Sequence, residues 1–336
     1  YYDVWGNEYN TYQGYQDFLT ARNHFMGSTA ARQISFDQLI YANRQAAAQG
    51  ADAMYYIQAR NSHALNLTLS STLTSHITGK SVWNNGFFVA HNNNNHFQTM
   101  EDMLGASSFH NINTYALGTY PTGSDRLQYD LNNANAAVKK GDRFAYDYHI
   151  LVNRAQLWSN YTEDFGIVHY SIAARIGGQT MQRDGKMRNG LFADNSYGKS
   201  KTAKFFEGGI KASSDFNIGG GNTLTLGMGY DMHAPSASTA FYAPEVNNDF
   251  VMNLHNERLL SSEIGYQLLT SCLHANINAY YNYLTNVTEW NCFYFDDINS
   301  FSYNSLSGLK KEAYGIEGAL NFKLASFLDL KLLGTI

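Results

Sequence analysis

Two kinds of side chain in this sequence could do recognition chemistry, and both fall outside its regularly patterned segments. Tyr115, Tyr120, Phe241, Tyr242, Trp290, Phe293, Tyr294 and Phe295 offer ring faces that can stack on a sugar or a planar ligand. Arg183, Arg188 and Lys199 offer cations to an anionic group, Arg as a planar fork and Lys as a point charge. From these, Tyr115, Tyr120, Arg183, Arg188, Tyr242, Trp290 and Tyr294 form the candidate ligand-binding set. The competing reading gives the rings to a belt at the rim of an apolar layer or to loop packing, and the cations to internal structure.

No catalytic arrangement accompanies them. His91 and His96 flank four Asn without an acidic partner at metal-site spacing, so they read as structural. Asp296-Asp297 lacks the alternating carboxylates of a calcium loop. Gly219-Gly220-Gly221 leads into neither a helix nor a Lys, so it reads as a turn and not a phosphate cradle. Cys272 and Cys292 are too few for a disulfide framework. The sequence therefore implies no enzyme, no cofactor and no metal.

The segments that must position those loops alternate. In residues 259–288, Ile264, Tyr266 and Leu268 share one parity, and after a turn near Ser271 so do Leu273, Ala275, Ile277, Ala279, Tyr281 and Tyr283. His274, Asn276, Asn278, Tyr280 and Asn282 take the other, so each arm is a strand with an oily side and a wet side. The unit recurs. Strands are expected at 61–76 and 80–91, 144–158 and 165–176, 202–218 and 223–233, and 312–323 and 328–336. Glu207, Lys211, Arg175 and Asp231 fall on wet parities. A capping box at Ser35-Phe36-Asp37-Gln38 predicts a short helix over 39–49, inside a long loop.

Short turns at Thr78-Gly79, 159–164, 219–222, Ser271 and Ala325-Ser326 alternate with long connections at 92–143, 177–201, 234–257 and 285–310. In an up-and-down barrel this puts every short turn at one rim and every long loop at the other. Three Pro in 336 residues and 25 Tyr favour uninterrupted β-structure. A net charge of −5 with 15% charged residues gives no electrostatic bias toward nucleic acid. The expected fold is all-β: an antiparallel up-and-down transmembrane β-barrel, with long extracellular loops and short periplasmic turns. The alternatives left open by the pattern are a soluble β-sandwich or β-helix.

Specific residues then suggest a family. Residues 128–150 (QYDLNNANAAVKKGDRFAYDYHI) and 186–205 (KMRNGLFADNSYGKSKTAKF) resemble barrel segments of Bacteroidota-type TonB-dependent outer-membrane receptors, of the group with a carboxypeptidase-like regulatory domain. Glu101-Asp102-Met103-Leu104-Gly105 resembles that group's acidic-Leu-Leu-Gly segment. Glu263-Ile264-Gly265-Tyr266, Ala279-Tyr280-Tyr281 and Tyr314-Gly315-Ile316-Glu317-Gly318 resemble late barrel strands of the wider family. The resemblance covers most of 61–336 and only loosely 1–60.

The resemblance implies a barrel of about 22 strands with a plug, of which about ten strands are present here. It implies one barrel domain over 1–336, with 1–60 mostly an extracellular loop and the plug and both chain ends absent. It implies an integral outer-membrane receptor that takes up a siderophore, vitamin, oligosaccharide or peptide. Energy would come from the TonB-ExbB-ExbD complex acting on the plug, and a SusD-like surface lipoprotein would be a further partner. The other functional classes are a passive porin or adhesin barrel, and a secreted carbohydrate-binding β-protein. Between Cys272 and Cys292, strand 273–287 spans roughly 45 Å, so the two thiols are expected at opposite rims and unpaired.

Overall fold

The computed structural model describes residues 12–295 and 300–336. Its elements run α1 (Tyr12–Gly27), a 3-10 turn (Ala30–Arg32), α2 (Phe36–Ala48), β1 (Ile57–His76), β2 (Ser81–Asp102), β3 (Arg143–Asp164) and β4 (Val168–Gly185). They continue with the two-residue β5 (Gly198–Lys199), β6 (Ala203–Gly219), β7 (Asn222–His233), α3 (Ala237–Ala240), β8 (Glu257–Leu269), β9 (Leu273–Phe295), β10 (Ser300–Ala325) and β11 (Leu328–Thr335). The fold is all-β in its main body. The long strands form one sheet in the order β1-β2-β3-β4-β6-β7-β8-β9-β10-β11, each beside its neighbour in sequence, with β5 attached to β4. This is the up-and-down order that the alternation predicts. No helix among the described residues is long and apolar enough to cross a membrane, which leaves crossing by strands open.

Two compact units divide the chain: 1–60 with 98–112 and 135–144, and 61–97 with 113–134 and 145–336. In the first, Ser35 caps α2 as expected, its Oγ accepting from the Gln38 N–H at 3.4 Å. Helix α1 was not anticipated. The unit is stapled by Asn43, which is fully buried. Its Nδ2 donates to the carbonyls of Tyr55 (2.7 Å) and Met103 (2.8 Å), and its Oδ1 accepts from the N–H groups of Met54 (2.9 Å) and Tyr55 (3.0 Å). Tyr56, Phe109 and Phe144 pack edge-on and tilted beside it, with ring centroids 4.7 to 5.7 Å apart. Asn43→Ala strands five backbone groups, the Leu104 carbonyl at 3.2 Å included. It is expected to destabilise this unit by about 2–4 kcal/mol, read as faster hydrogen exchange over 52–56 and 103–106. Unchanged protection there would show that the staple is idle.

The second unit carries the sheet's two chemically distinct faces. Across the register, Leu226 lies beside Ile264, Ile264 beside Ala279, and Ala279 beside Ile316. A parallel row links Ile210, Tyr230, Leu260 and Tyr283. These rows stay on one face because pairing preserves parity. That face is apolar and open: Leu69, Leu157, Ile176, Met228, Ile277 and Ile316 are each more than half exposed. A contiguous apolar surface of this extent needs a non-aqueous neighbour. Aromatic side chains bracket it. On β10, the stretch from Tyr314 to Phe322 is nine residues long, the number a strand tilted at about 45° needs to cross a hydrocarbon layer.

Several boundaries differ from the sequence reading. Strand β2 continues to Asp102, into the stretch from 92 expected as a long connection. The Asn side chains form a cross-strand ladder instead: Asn92 with Asn66, Asn94 with Ser62 (2.9 Å) and Asn93 with His149 (2.7 Å). Strand β3 runs through the expected turn at 159–164, and the reversal falls at Phe165-Gly166-Ile167, where Gly166 has φ +84°. Strand β4 reaches Gly185. The largest correction concerns 285–310. Its described residues are strand: β9 runs on to Phe295 and β10 begins at Ser300, with Trp290 paired to Ser305 and Phe293 to Ser302. Its aromatic residues Trp290, Phe293, Tyr294, Phe295, Phe301 and Tyr303 suit a strand. Turn Gly219–Asn222 holds as predicted, because Gly221 (φ +82°) passes so close to the Leu269 carbonyl that a Cβ would collide. Cys272 and Cys292 are both free and exposed.

Candidate functional site

Two arrangements at the long-connection end of the second unit gather its chemistry. The first is a layer of knitted loops. Connections 113–134, 186–197 and 234–256 each begin with polar caps: Asn113, Ser124, Asp130, Asn189 and Ser236 accept from the N–H two residues on. They then bond to one another through backbone. Leu131 N donates to Arg188 O (2.7 Å), Gly190 N to Gln128 O (2.8 Å), and Asn248 N to Asn195 O (2.8 Å). Gly190 passes so near the Asp125 and Gln128 carbonyls that no Cβ fits. Beneath this layer Tyr146, Tyr148, Ile150, Met181, Phe205, Ala234, Ala240 and Phe241 form a packed core.

The candidate set divides accordingly. Tyr115 stands on a 3-10 turn and is 93% exposed. Tyr120 is half-buried under the Arg126 guanidinium, 5.2 Å from its ring centroid. Tyr242 and Trp290 are exposed. Arg188 spends its Nε on the Ala193 carbonyl (2.8 Å) and turns an Nη toward Asp194 (3.5 Å). Tyr294 lies in β9, and its side chain falls outside the described residues. Asp296-Asp297 also falls outside them. Phe241 is fully buried, so that ring belongs to the core.

Arg183 lies in β4 and not in a loop. It is 2% exposed, and its guanidinium donates to the carbonyls of Pro244 (2.6 Å) and Ser196 (2.7 Å) and to Asn248 Oδ1 (2.6 Å). It also covers the Tyr148 ring at 5.1 Å. Arg183 thus clamps two connections together.

The second arrangement is a charge network on the polar face. Arg175 of β4 grips Asp231 of β7 with two hydrogen bonds of 2.7 Å. Between them in register sits Gly209 of β6, where a Cβ would strike the Asp231 carboxylate. Glycine there lets the bridge reach across two strand spacings, about 10 Å. Glu207, 1% exposed, takes Arg154 at 2.7 Å, lies 3.8 Å from Arg175, and accepts from the Ala234 N–H at 3.1 Å. His233 continues the chain between Asp231 (3.0 Å) and Glu257 (3.3 Å), and Glu257 accepts from the Thr288 N–H (3.0 Å). Parity had already put Arg175, Glu207 and Asp231 on the wet side. Arg154, His233 and Glu257 were missed, since their joining depends on register. Further along this face lies a groove of about 580 Å³ lined by Ser171, Lys211, Gly229, Glu263, Asn278 and Tyr280.

No protein-family model matches this sequence, and no curated protein matches it. Among solved structures, the chain is similar to "Copper transporter OprC", with 10% identity and a TM-score of 0.59 over 83% of this chain and 38% of that one. It is also similar to the FrpB iron transporter from Neisseria meningitidis. The F3-3 variant gives 11% identity and a TM-score of 0.52 over 82% of this chain and 35% of that one. The apoprotein form of the F5-1 variant gives 9% identity and a TM-score of 0.53 over 82% and 37%. The chain thus spans little more than a third of the length of these structures and shares the fold of that part.

Proposed function

We propose that this chain is part of the barrel wall of a TonB-dependent outer-membrane receptor that imports a nutrient, a siderophore, vitamin, oligosaccharide or peptide. The observation that carries the reading is the open apolar face opposite a charge-bridged polar face, on strands in up-and-down order. Lipid would take the first and the barrel lumen the second. The shared fold with two metal transporters supports the same reading. The sequence resemblances point to the Bacteroidota-type group with a carboxypeptidase-like regulatory domain. The long connections face the cell exterior, and the TonB-ExbB-ExbD complex energises uptake through a plug. A SusD-like surface lipoprotein fits an oligosaccharide or peptide substrate.

Ligand recognition falls to Tyr115, Tyr120, Arg188 and Tyr242 in the connections and to Trp290 and Tyr294 in β9. Arg183 supports them by holding 196 and 244–248 in place. Deleting the gene is expected to abolish growth on one nutrient class in a panel of single limiting nutrients, and deleting TonB should reproduce that defect. Growth that survives TonB loss but not loss of this protein would identify a passive pore instead.

A further inference from the structure

Charge on the polar face is paired in one place and unpaired in another. In the network, Arg154, Arg175, Glu207 and Asp231 all have partners. In the groove of about 580 Å³, Lys211 of β6, Glu263 of β8 and Glu317 of β10 are exposed and make no side-chain hydrogen bond or ion pair among the described residues. The side chains of Asn278 and Asn282 on β9, which also line it, make none either. Register sets their spacing. Lys211 pairs with Gly229, Gly229 with Ser261 and Ser261 with Asn282, one row across four strands. The next row is Ser213, Gly227, Glu263 and Tyr280, and Asn278 and Glu317 pair in the row beyond. Lys211 and Glu263 thus stand two strands and two residues apart, roughly 12 Å between Cα atoms. Only Gly and Ser lie between them, and at Gly229 a Cβ would come within 2.9 Å of Ser261 Oγ.

A ligand that satisfies this groove needs a carboxylate for the ammonium on one wall and an ammonium for the carboxylates on the other. Between its ends it needs groups that both give and take hydrogen bonds, since each Asn amide has two donors and one acceptor to offer. A neutral sugar leaves all three charges unmet, and a polyanionic chelate is repelled by Glu263 and Glu317. An extended peptide with free ends meets every requirement, and at about 3.3 Å per residue three or four residues reach from Lys211 to Glu263. A second hollow of about 570 Å³ shares Lys211 and Gly229 with the groove and extends toward Trp158 of β3.

We propose that this groove binds a short zwitterionic peptide, its C-terminal carboxylate on Lys211 and its N-terminal ammonium on Glu263. The proposal rests on the importer reading above, in which the polar face lines the lumen, and narrows the substrate to peptide. Asn278 and Asn282 pair with backbone amides of the peptide, so recognition needs its two ends and its main chain and leaves its side chains free. The second hollow gives the last side chain room beside the Trp158 ring. Glu317, two strands beyond Glu263, takes the ammonium of a longer peptide.

The test titrates the whole purified protein, in neutral detergent micelles, with tri-alanine, N-acetyl-tri-alanine, tri-alanine amide and maltotriose in a calorimeter. Wild type should bind tri-alanine saturably and each capped form about tenfold more weakly, one charge-assisted hydrogen bond being lost with each cap. Lys211→Gln should bind tri-alanine and its amide equally while still preferring the free N-terminus. Glu263→Gln should show the reverse, a split that a merely structural role for either residue would not produce. Absence of tri-alanine binding to wild type would overturn the proposal, as would indifference to both caps or maltotriose bound as tightly. A Lys211→Gln or Glu263→Gln protein that keeps wild-type preference at both ends would overturn it too. Should the variants not fold, wild type alone decides: both caps must weaken binding, and a cap without effect refutes the site. TonB-dependent growth on the limiting-nutrient panel is read separately, so an importer whose groove ignores tri-alanine loses this site and keeps the importer reading.

Discussion

Replacing Glu207 with Ala is expected to cost about 3–5 kcal/mol, the largest effect of any single substitution on the polar face. The carboxylate is almost completely buried and serves Arg154, Arg175 and the Ala234 N–H at once. Its removal leaves two half-buried guanidinium groups facing each other's charge and one backbone donor stranded. Glu207→Gln keeps the shape and one acceptor oxygen, so its cost should be smaller. The midpoint of guanidinium unfolding in micelles measures both. A loss under about 1 kcal/mol for Glu207→Ala would mean that water or a neighbouring group replaces the carboxylate, against its burial.

The second large effect separates the two faces. Leu226→Arg should cost about 2–4 kcal/mol, because Leu226 lies inside the nine-residue stretch from Leu224 to Met232 on the apolar parity. Thr225→Arg should cost far less. Thr225 is on the polar face, where its hydroxyl donates to Asp215 at 2.7 Å, and an Arg there meets a carboxylate and solvent. Refolding yield into lipid vesicles, scored as the heat-modifiable band, gives the comparison. Equal tolerance at the two positions would remove the lipid assignment of this face.

Most of the sheet was legible because alternation is a local signal. Leu224, Leu226, Met228 and Tyr230 announce both the strand and its oily side. The signal fails where strand-poor residues are rescued by partners elsewhere. Asn92–Asn95 open the expected long connection, yet each of Asn92, Asn93 and Asn94 finds a side chain on an adjacent strand. Residues 285–310 read as a connection because their alternation is interrupted: Asn286 (φ +57°) and Gly308 (φ +74°) bulge the strands and shift the parity. The candidate site was legible only as residue types. Asx caps at Asn113, Asp130 and Asn189 are local, but which connections bond to each other depends on long-range packing. Arg183 shows the limit most clearly: its charge suggested a ligand contact, and only the Pro244 and Ser196 carbonyls reveal a clamp.

The chain carries its own probes for the central claim that these strands cross a membrane with the short turns on one side. Cys272 sits in the turn between β8 and β9, and Cys292 lies near the far end of β9, twenty residues on and roughly 60 Å along the strand. Both thiols are free and exposed. Intact cells carrying the whole protein are treated with a membrane-impermeant maleimide, and the two cysteine peptides are quantified before and after permeabilisation. The predicted result is labelling of Cys292 on intact cells and of Cys272 only after permeabilisation. Labelling of Cys272 on intact cells to the same extent as Cys292 would contradict the membrane-crossing path.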